Sequence, residues 1–286
     1  MVQSSLEIEQ QAARPVRPWW GRPWVWVAGL ILLALAVDSV IIEPYRIETT
    51  RYTVQGAVGA PLKIAQLSDL HTRGIGPRER RVFAILAAEK PDVIVITGDS
   101  LAGYGGTYQD CKEVYEQLHA PLGVWFVRGN WENDHFIHPA HHEREFYESA
   151  GVHLLVNANA ELRPDAWLIG LNDPSSGPVR LDSAMAGVPQ GAYKIAIFHA
   201  PGYFDRIAGK VDLVLAGHTH GGQVHIPFVH PFWLPKDSKG FVAGWFEKSD
   251  TKMYVSRGIG WSTLPIRFLC RPEVDIVTIS PIPRSA

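Results

Sequence analysis

Five strand-like, largely apolar runs between residues 62 and 216 each end in side chains able to ligate a metal. Residues 62–67 lead into Ser68-Asp69-Leu70-His71, and 92–97 into Gly98-Asp99. The run 123–127 ends in Arg128-Gly129-Asn130-Trp131-Glu132, and 193–198 ends in His199-Ala200-Pro201. The last run, 211–216, ends in Gly217-His218-Thr219-His220-Gly221-Gly222-Gln223. Short continuous apolar runs read as buried strands. Pro77 opens a helical stretch to about residue 89, with Val82, Ile85 and Leu86 at helical spacing, and a second stretch covers about 108–118. Strand alternating with helix predicts an α/β fold around a largely parallel sheet. Ligands of such sheets sit beyond the carboxyl ends of the strands, where these side chains fall.

The collected set is Asp69, His71, Asp99, Asn130, His199, His218 and His220. His218 and His220 lie two residues apart, so a turn can aim both rings at neighbouring points. Singly, each has a plainer reading: Asp69 or Asp99 caps the next helix, and the two histidines decorate a polar turn. Repetition at five strand ends favours a shared centre. Oxygen and imidazole ligands without cysteine suit Mn²⁺, Fe or Zn²⁺. Seven are too many for one such ion and suit two ions bridged by a carboxylate, about 3.5–4 Å apart. All twelve histidines lie between His71 and His230, a further sign of a specialised domain. A net charge of −2 argues against a general nucleic-acid binder. Two distant cysteines, Cys111 and Cys270, imply neither a disulfide framework nor a thiolate zinc site.

In this order, Asp69-x-His71, Gly98-Asp99, Gly129-Asn130, His199 and Gly217-His218-Thr219-His220 resemble the motifs of the calcineurin-like metallophosphoesterases, over about residues 60–280. The resemblance implies a four-layer α/β/β/α sandwich holding two divalent ions, manganese first, with iron or zinc as alternatives. It assigns Asp69, His71 and His220 to one ion, Asn130, His199 and His218 to the other, and Asp99 to both. It further implies in-line attack on phosphorus by a metal-bridging hydroxide, with Asp99, Asn130 and His199 as catalytic residues. One position departs. The family places a histidine after Gly-Asn, where it protonates the leaving oxygen; this chain has Trp131. Indole donates one hydrogen bond but is no acid. A leaving group that needs little protonation fits better, such as a phosphate monoester, whose second pKa is about 6. His135 stands as a substitute acid, and Arg267 as a partner either for a substrate phosphate or for Glu273.

The N-terminus reads as a membrane anchor. Residues 1–23 form a basic, tryptophan-rich stretch expected to be disordered, 24–42 the anchor helix, 43–59 a connector, and 60–286 the phosphoesterase domain. A helix over 24–42 is roughly 28 Å long, about one hydrocarbon core. Trp19, Trp20, Trp24 and Trp26 resemble an interfacial aromatic belt. A cleaved signal peptide is the rival reading, but no A-x-A-like site follows the run closely. Arg14, Arg17 and Arg22 favour an inside N-terminus and an outward domain, while Arg46 and Arg51 on the other flank act against that. This layout, with the stretches 257–260, 264–268 and 271–273, is similar to the membrane-anchored bacterial branch of the family. That branch includes UDP-2,3-diacylglucosamine pyrophosphatases of lipid A synthesis. The resemblance implies residence at the bacterial inner membrane, single-pass or monotopic, and a lipid-linked pyrophosphate or phosphodiester substrate. The alternatives are an outward-facing, broad-specificity phosphodiesterase or phosphatase, and a metal-holding scaffold without turnover. Oligomeric state has no signature in the sequence.

Overall fold

A computed structural model describes residues 19–102, 105–135 and 140–283. Of the stretch expected to be disordered, residues 1–18 lie outside the described residues. The rest departs from that expectation: Trp19–Gly21 is a 3₁₀ turn and helix α1, Pro23–Val37, begins at once. Pro23 occupies a first-turn position, where its missing N–H has no intrahelical partner to lose. Residues 19–38 belong to one compact unit and residues 39–283 to another. The helical run continues as Asp38–Ile42 and Glu43–Tyr45, making Pro23–Tyr45 long and apolar enough to cross a bilayer. Its apolar side chains are exposed all round, as a lipid-facing helix requires.

The second unit is built on two six-stranded sheets. Its strands are β1 (Glu48–Gly56), β2 (Leu62–Leu67), β3 (Val93–Thr97), β4 (Val124–Val127), β5 (His153–Leu154), β6 (Ala158–Arg163), β7 (Ala166–Gly170), β8 (Tyr193–Ile197), β9 (Leu213–Ala216), β10 (Gly244–Lys248), β11 (Thr251–Val255) and β12 (Glu273–Pro281). Its helices are α2 (Pro77–Glu89), α3 (Tyr108–Tyr115), α4 (Asn130–His135), α5 (Ala140–Ser149), α6 (Leu181–Met185) and α7 (Phe204–Ile207). One sheet runs β1-β12-β2-β3-β4-β5 and the other β10-β11-β9-β8-β7-β6. The site-bearing strands β2, β3 and β4 are mutually parallel, as are β8 and β9.

Alternation along each strand builds the layers. Val93 and Val95 of β3, with Leu213 and Leu215 of β9, face a core between the sheets. Ile94 and Ile96 point the other way, onto Val82, Ile85 and Leu86 of α2 and Tyr115 of α3. Val214 and Ala216 pack on Leu181 of α6 and on Phe204 and Ile207 of α7. The order is therefore helix, sheet, sheet, helix. Both faces of the central strands are covered, which is why they read as largely apolar runs. Beneath the site, Gln66 of β2 bridges the sheets, its amide donating to Ala216 O (2.8 Å) and Thr97 Oγ1 (3.1 Å).

One domain boundary changes. Residues 43–59 are no connector: β1 pairs in parallel with β12 along nine residues, so the compact unit begins at Ser39. The segment 223–226 contributes an isolated bridge, Val224 to Phe268. Cys111 and Cys270 are buried free thiols.

Candidate metal centre

Asp69 and His71 follow β2, Asp99 follows β3, Asn130 opens α4, His199 follows β8, and His218 and His220 follow β9. Five of the seven hold left-handed backbone: Asp69 (φ 50°), His71 (40°), Asp99 (52°), His218 (76°) and His220 (51°). Such conformations cost about 1–3 kcal/mol each and persist only where surroundings impose them. Here the loops clamp one another. Asp69 N donates to Gly98 O and His71 N to Asp99 O, both at 3.0 Å, and Gly260 N donates to Asp69 O at 2.7 Å. Glycine precedes Asp99 because the loops touch there. A Cβ on Gly98 would lie 2.6 Å from His199 Nδ1 and 2.7 Å from Gly129 N.

The structure brings all seven side chains to one place. Asp69, His71 and His220 form one group of facing ligand atoms; Asp99, His199 and His218 form a second. Asp99 Oδ2 lies 3.8 Å from His71 Nε2 and 3.1 Å from His199 Nε2, between the two groups. His220 Nε2 lies 3.3 Å from Asp69 Oδ1 and 3.2 Å from His71 Nε2. Asn130 Oδ1 stands 3.3 Å from His199 Nε2, and His218 Nδ1 stands 2.9 Å from it.

Outer hydrogen bonds show that this set fits cations. His71 Nδ1 bonds Leu101 O (3.0 Å), His199 Nδ1 bonds Thr97 O (2.7 Å) and His218 Nε2 bonds Lys236 O (2.7 Å). A carbonyl only accepts, so each of these nitrogens carries the proton and turns the ring's lone pair inward. Lone pairs and carboxylates thus converge in a buried volume, an arrangement that positive ions stabilise. Burial also keeps the rings in ligand form: His71 is lowered to about 3, His218 to about 4, and His220 well below the usual imidazole range. His199 is the exception. Burial works against its charge, but Asp99 and Asp69 hold it well above the usual range. Burial pushes Asp99 up to about 7 despite the pull of His199.

Metal loading must therefore expel protons from the Asp99–His199 pair. Below the raised pKa of Asp99 a proton competes for the carboxylate; above it the proton on His199, which is held well above the usual imidazole range, still competes. Mn²⁺ affinity is expected to rise with pH from 6 to 8, by at least about tenfold per pH unit below about 7. Titration calorimetry at pH 6, 7 and 8, in buffers of different ionisation heat, reads affinity and proton release together; affinity independent of pH would contradict this.

Sequence reasoning missed the residue that sets the Asp99 loop. Glu132 is buried, and its carboxylate accepts the backbone N–H groups of Asp99 (2.9 Å), Ser100 (2.7 Å), Leu101 (3.2 Å) and Gly129 (2.8 Å). Its spacing, three residues after Gly129, was the available signal. Asp173 was also missed. Oδ1 accepts from Ser175 N (2.8 Å), while the buried Oδ2 has no partner among the described residues. Asp173 lines a cavity of about 540 Å³ over the ligand cluster, with Asn130, Trp131, Trp233 and Lys236. Trp131 meets the His71 ring edge-on at 5.7 Å, and its backbone N–H donates to Asp99 Oδ1 at 3.0 Å. His135 ends α4, but its side chain lies outside the described residues. Arg267 reaches neither a substrate position nor Glu273. It is fully buried and donates to the carbonyls of Arg257, Gly258, Gly260 and Cys270. The partner of Glu273 is Arg257, at 2.7 Å through Nε.

Comparison with known proteins agrees with the geometry. The family model described as calcineurin-like phosphoesterase matches residues 62–222. An uncharacterized metallophosphoesterase of Bacillus subtilis, YkuE, is 29% identical over 252 residues, covering 83% of this chain and 87% of that protein. The phosphodiesterase YaeI of Escherichia coli is 29% identical over 228 residues, covering 77% and 83%. A transmembrane protein with metallophosphoesterase domain from Danio rerio is 26% identical over 240 residues, covering 76% of this chain and 53% of that longer protein. All seven clustered side chains lie within the matched residues, and the chain belongs to the calcineurin-like phosphoesterase family of hydrolases.

Proposed function

We propose that this chain is a membrane-anchored, metal-dependent hydrolase of a lipid-linked pyrophosphate or phosphodiester, with UDP-2,3-diacylglucosamine as the substrate to try first. Two divalent ions, manganese foremost, would supply Lewis-acid charge to the phosphoryl group and lower the pKa of water. The chain's own residues do the rest. Asp69, His71 and His220 would hold one ion, Asn130, His199 and His218 the other, and Asp99 would contact both. Glu132 keeps the Asp99 loop in register. The observation that carries the substrate reading is Trp131 on the cavity wall, where the family has an acid. Indole cannot deliver a proton to a departing oxygen. A leaving phosphate monoester needs none, because it is already stable as an anion near neutral pH, whereas an alkoxide is not. A lipid-linked substrate also suits an enzyme carrying a helix able to cross a bilayer.

Trp131→His is expected to speed hydrolysis of a simple alkyl phosphodiester by about 10²-fold, the usual contribution of a placed general acid. Pyrophosphate cleavage should change little. Paired kcat/KM values on the two substrate types check this, and an unchanged alkyl diester rate would refute the leaving-group argument.

The direct test is Mn²⁺-dependent release of UMP from UDP-2,3-diacylglucosamine. Release would require the domain to face the cytoplasm, against the bias of Arg14, Arg17 and Arg22. The name of the Escherichia coli relative favours a second reading, an outward-facing phosphodiesterase. Metal-loaded enzyme that cleaves other diesters but releases no UMP would select it.

A further inference from the structure

A second cavity, about 390 Å³, opens beside the catalytic one and shares Trp233, Ser262, Thr263 and His220 with it. Its walls are apolar: Val224, Phe232, Trp233, Leu264 and Ile266. Two loops form it. Gln223 stitches them together, its amide donating to Leu264 O (3.2 Å) and Ile266 O (3.1 Å). No Asp, Glu, Lys or Arg occurs from Gly221 to Pro235 or from Gly258 to Ile266. The rim is nevertheless open. Phe232, Trp233 and Leu264 keep 79%, 68% and 58% of their surface exposed, and Phe228 is fully exposed. Uncharged exposed aromatic rims of this kind mark contact with apolar partners.

Hydrogen bonds within the second unit tie this groove to the point where the chain leaves the apolar helix. Arg267 N donates to Ser39 O at 2.9 Å. Leu269 N and Cys270 N donate to the Glu43 carboxylate at 3.0 and 2.5 Å. Ser39 and Glu43 lie in the last turns of the run Pro23–Tyr45. The Leu264–Ile266 wall is therefore only a few residues from backbone bonded to that run.

From the shared walls, the missing charge and this tether, we infer that the groove receives an acyl chain of a membrane lipid whose phosphate occupies the catalytic cavity. This rests on the phosphohydrolase reading above and adds where the lipid tail lies. Trp233, common to both cavities, marks the junction between head and tail.

The test uses the full-length chain, held in amphipol and loaded with Mn²⁺, with the n-alkyl phosphates from butyl to decyl as probes. Calorimetric affinity is expected to rise by at least about tenfold from butyl to octyl, about half the transfer free energy of four fully buried methylenes. Phe232→Glu and Leu264→Glu change exposed side chains that the fold does not need, and each should flatten the series. A flat series in the parent chain, or a rise that both variants retain, overturns the proposal. Hydrolysis of bis(p-nitrophenyl) phosphate, which has no alkyl tail, is measured alongside. Turnover with a flat series sinks the groove alone; a rising series without turnover sinks the hydrolase reading alone.

Discussion

Asp99→Asn is expected to lower phosphoester hydrolysis by at least about 10²–10³-fold, the loss typical when one preorganised electrostatic group is removed from a transition state. The expectation rests on position. Asp99 Oδ2 faces His71 on one side and His199 on the other, so it is the side chain that joins the two ligand groups. Asparagine keeps the shape and removes the charge that holds two cations close together. The fold should survive, because the Asp99 loop is fixed through its backbone by Glu132 and not through the Asp99 side chain alone. Metal content per chain and Mn²⁺-dependent turnover, measured on the same preparation, check this. Loss of both metal and turnover excludes the scaffold reading, since it shows turnover in the parent chain. Turnover at parental level in the variant would remove Asp99 from the bridging position.

Arg267→Met is expected to cost about 4 kcal/mol of stability, as removal of a buried, hydrogen-bonded charge commonly does. For a domain of this size that is about a 10 °C fall in Tm. Arg267 is the fully buried clasp of the 257–270 loop, and four carbonyls lose their donor when it is replaced. The clasped loop supports the site from behind. Ile259 N donates to Ser68 O at 2.9 Å, and Gly260 N to Asp69 O at 2.7 Å. Thermal unfolding followed by circular dichroism at fixed Mn²⁺ concentration measures the loss. A substrate-binding arginine would give the opposite pattern, a raised KM with an unchanged Tm, and that result would restore the role first expected for it.

The strands β2, β3, β4, β8 and β9 and the seven clustered side chains were legible because both signals are local. A strand covered on both faces is apolar at most positions, and the ligand side chains follow it within four residues. Trp131 was legible as a departure for the same reason: its position after Gly129-Asn130 is counted along the chain. Glu132 was visible but mute, because its partners are backbone amides of a loop 31–33 residues away. Arg267 was misread since a lone arginine after a glycine-rich stretch looks the same whether it meets a phosphate or four carbonyls. The full length of β1 carries no local signal, because its partner β12 lies more than 200 residues on.

The sequence by itself thus determined which residues stand at strand ends, and with them the α/β class and the ligand chemistry. Periodicity and strand-end position are properties of neighbouring residues, and composition carries them. Only the tertiary structure decided that Glu132 holds the Asp99 loop, that an apolar groove adjoins the ligand cluster, and that Arg267 is structural. Each of these depends on which distant backbone groups come within hydrogen-bonding range, and that is set by packing the two sheets together, not by any local pattern.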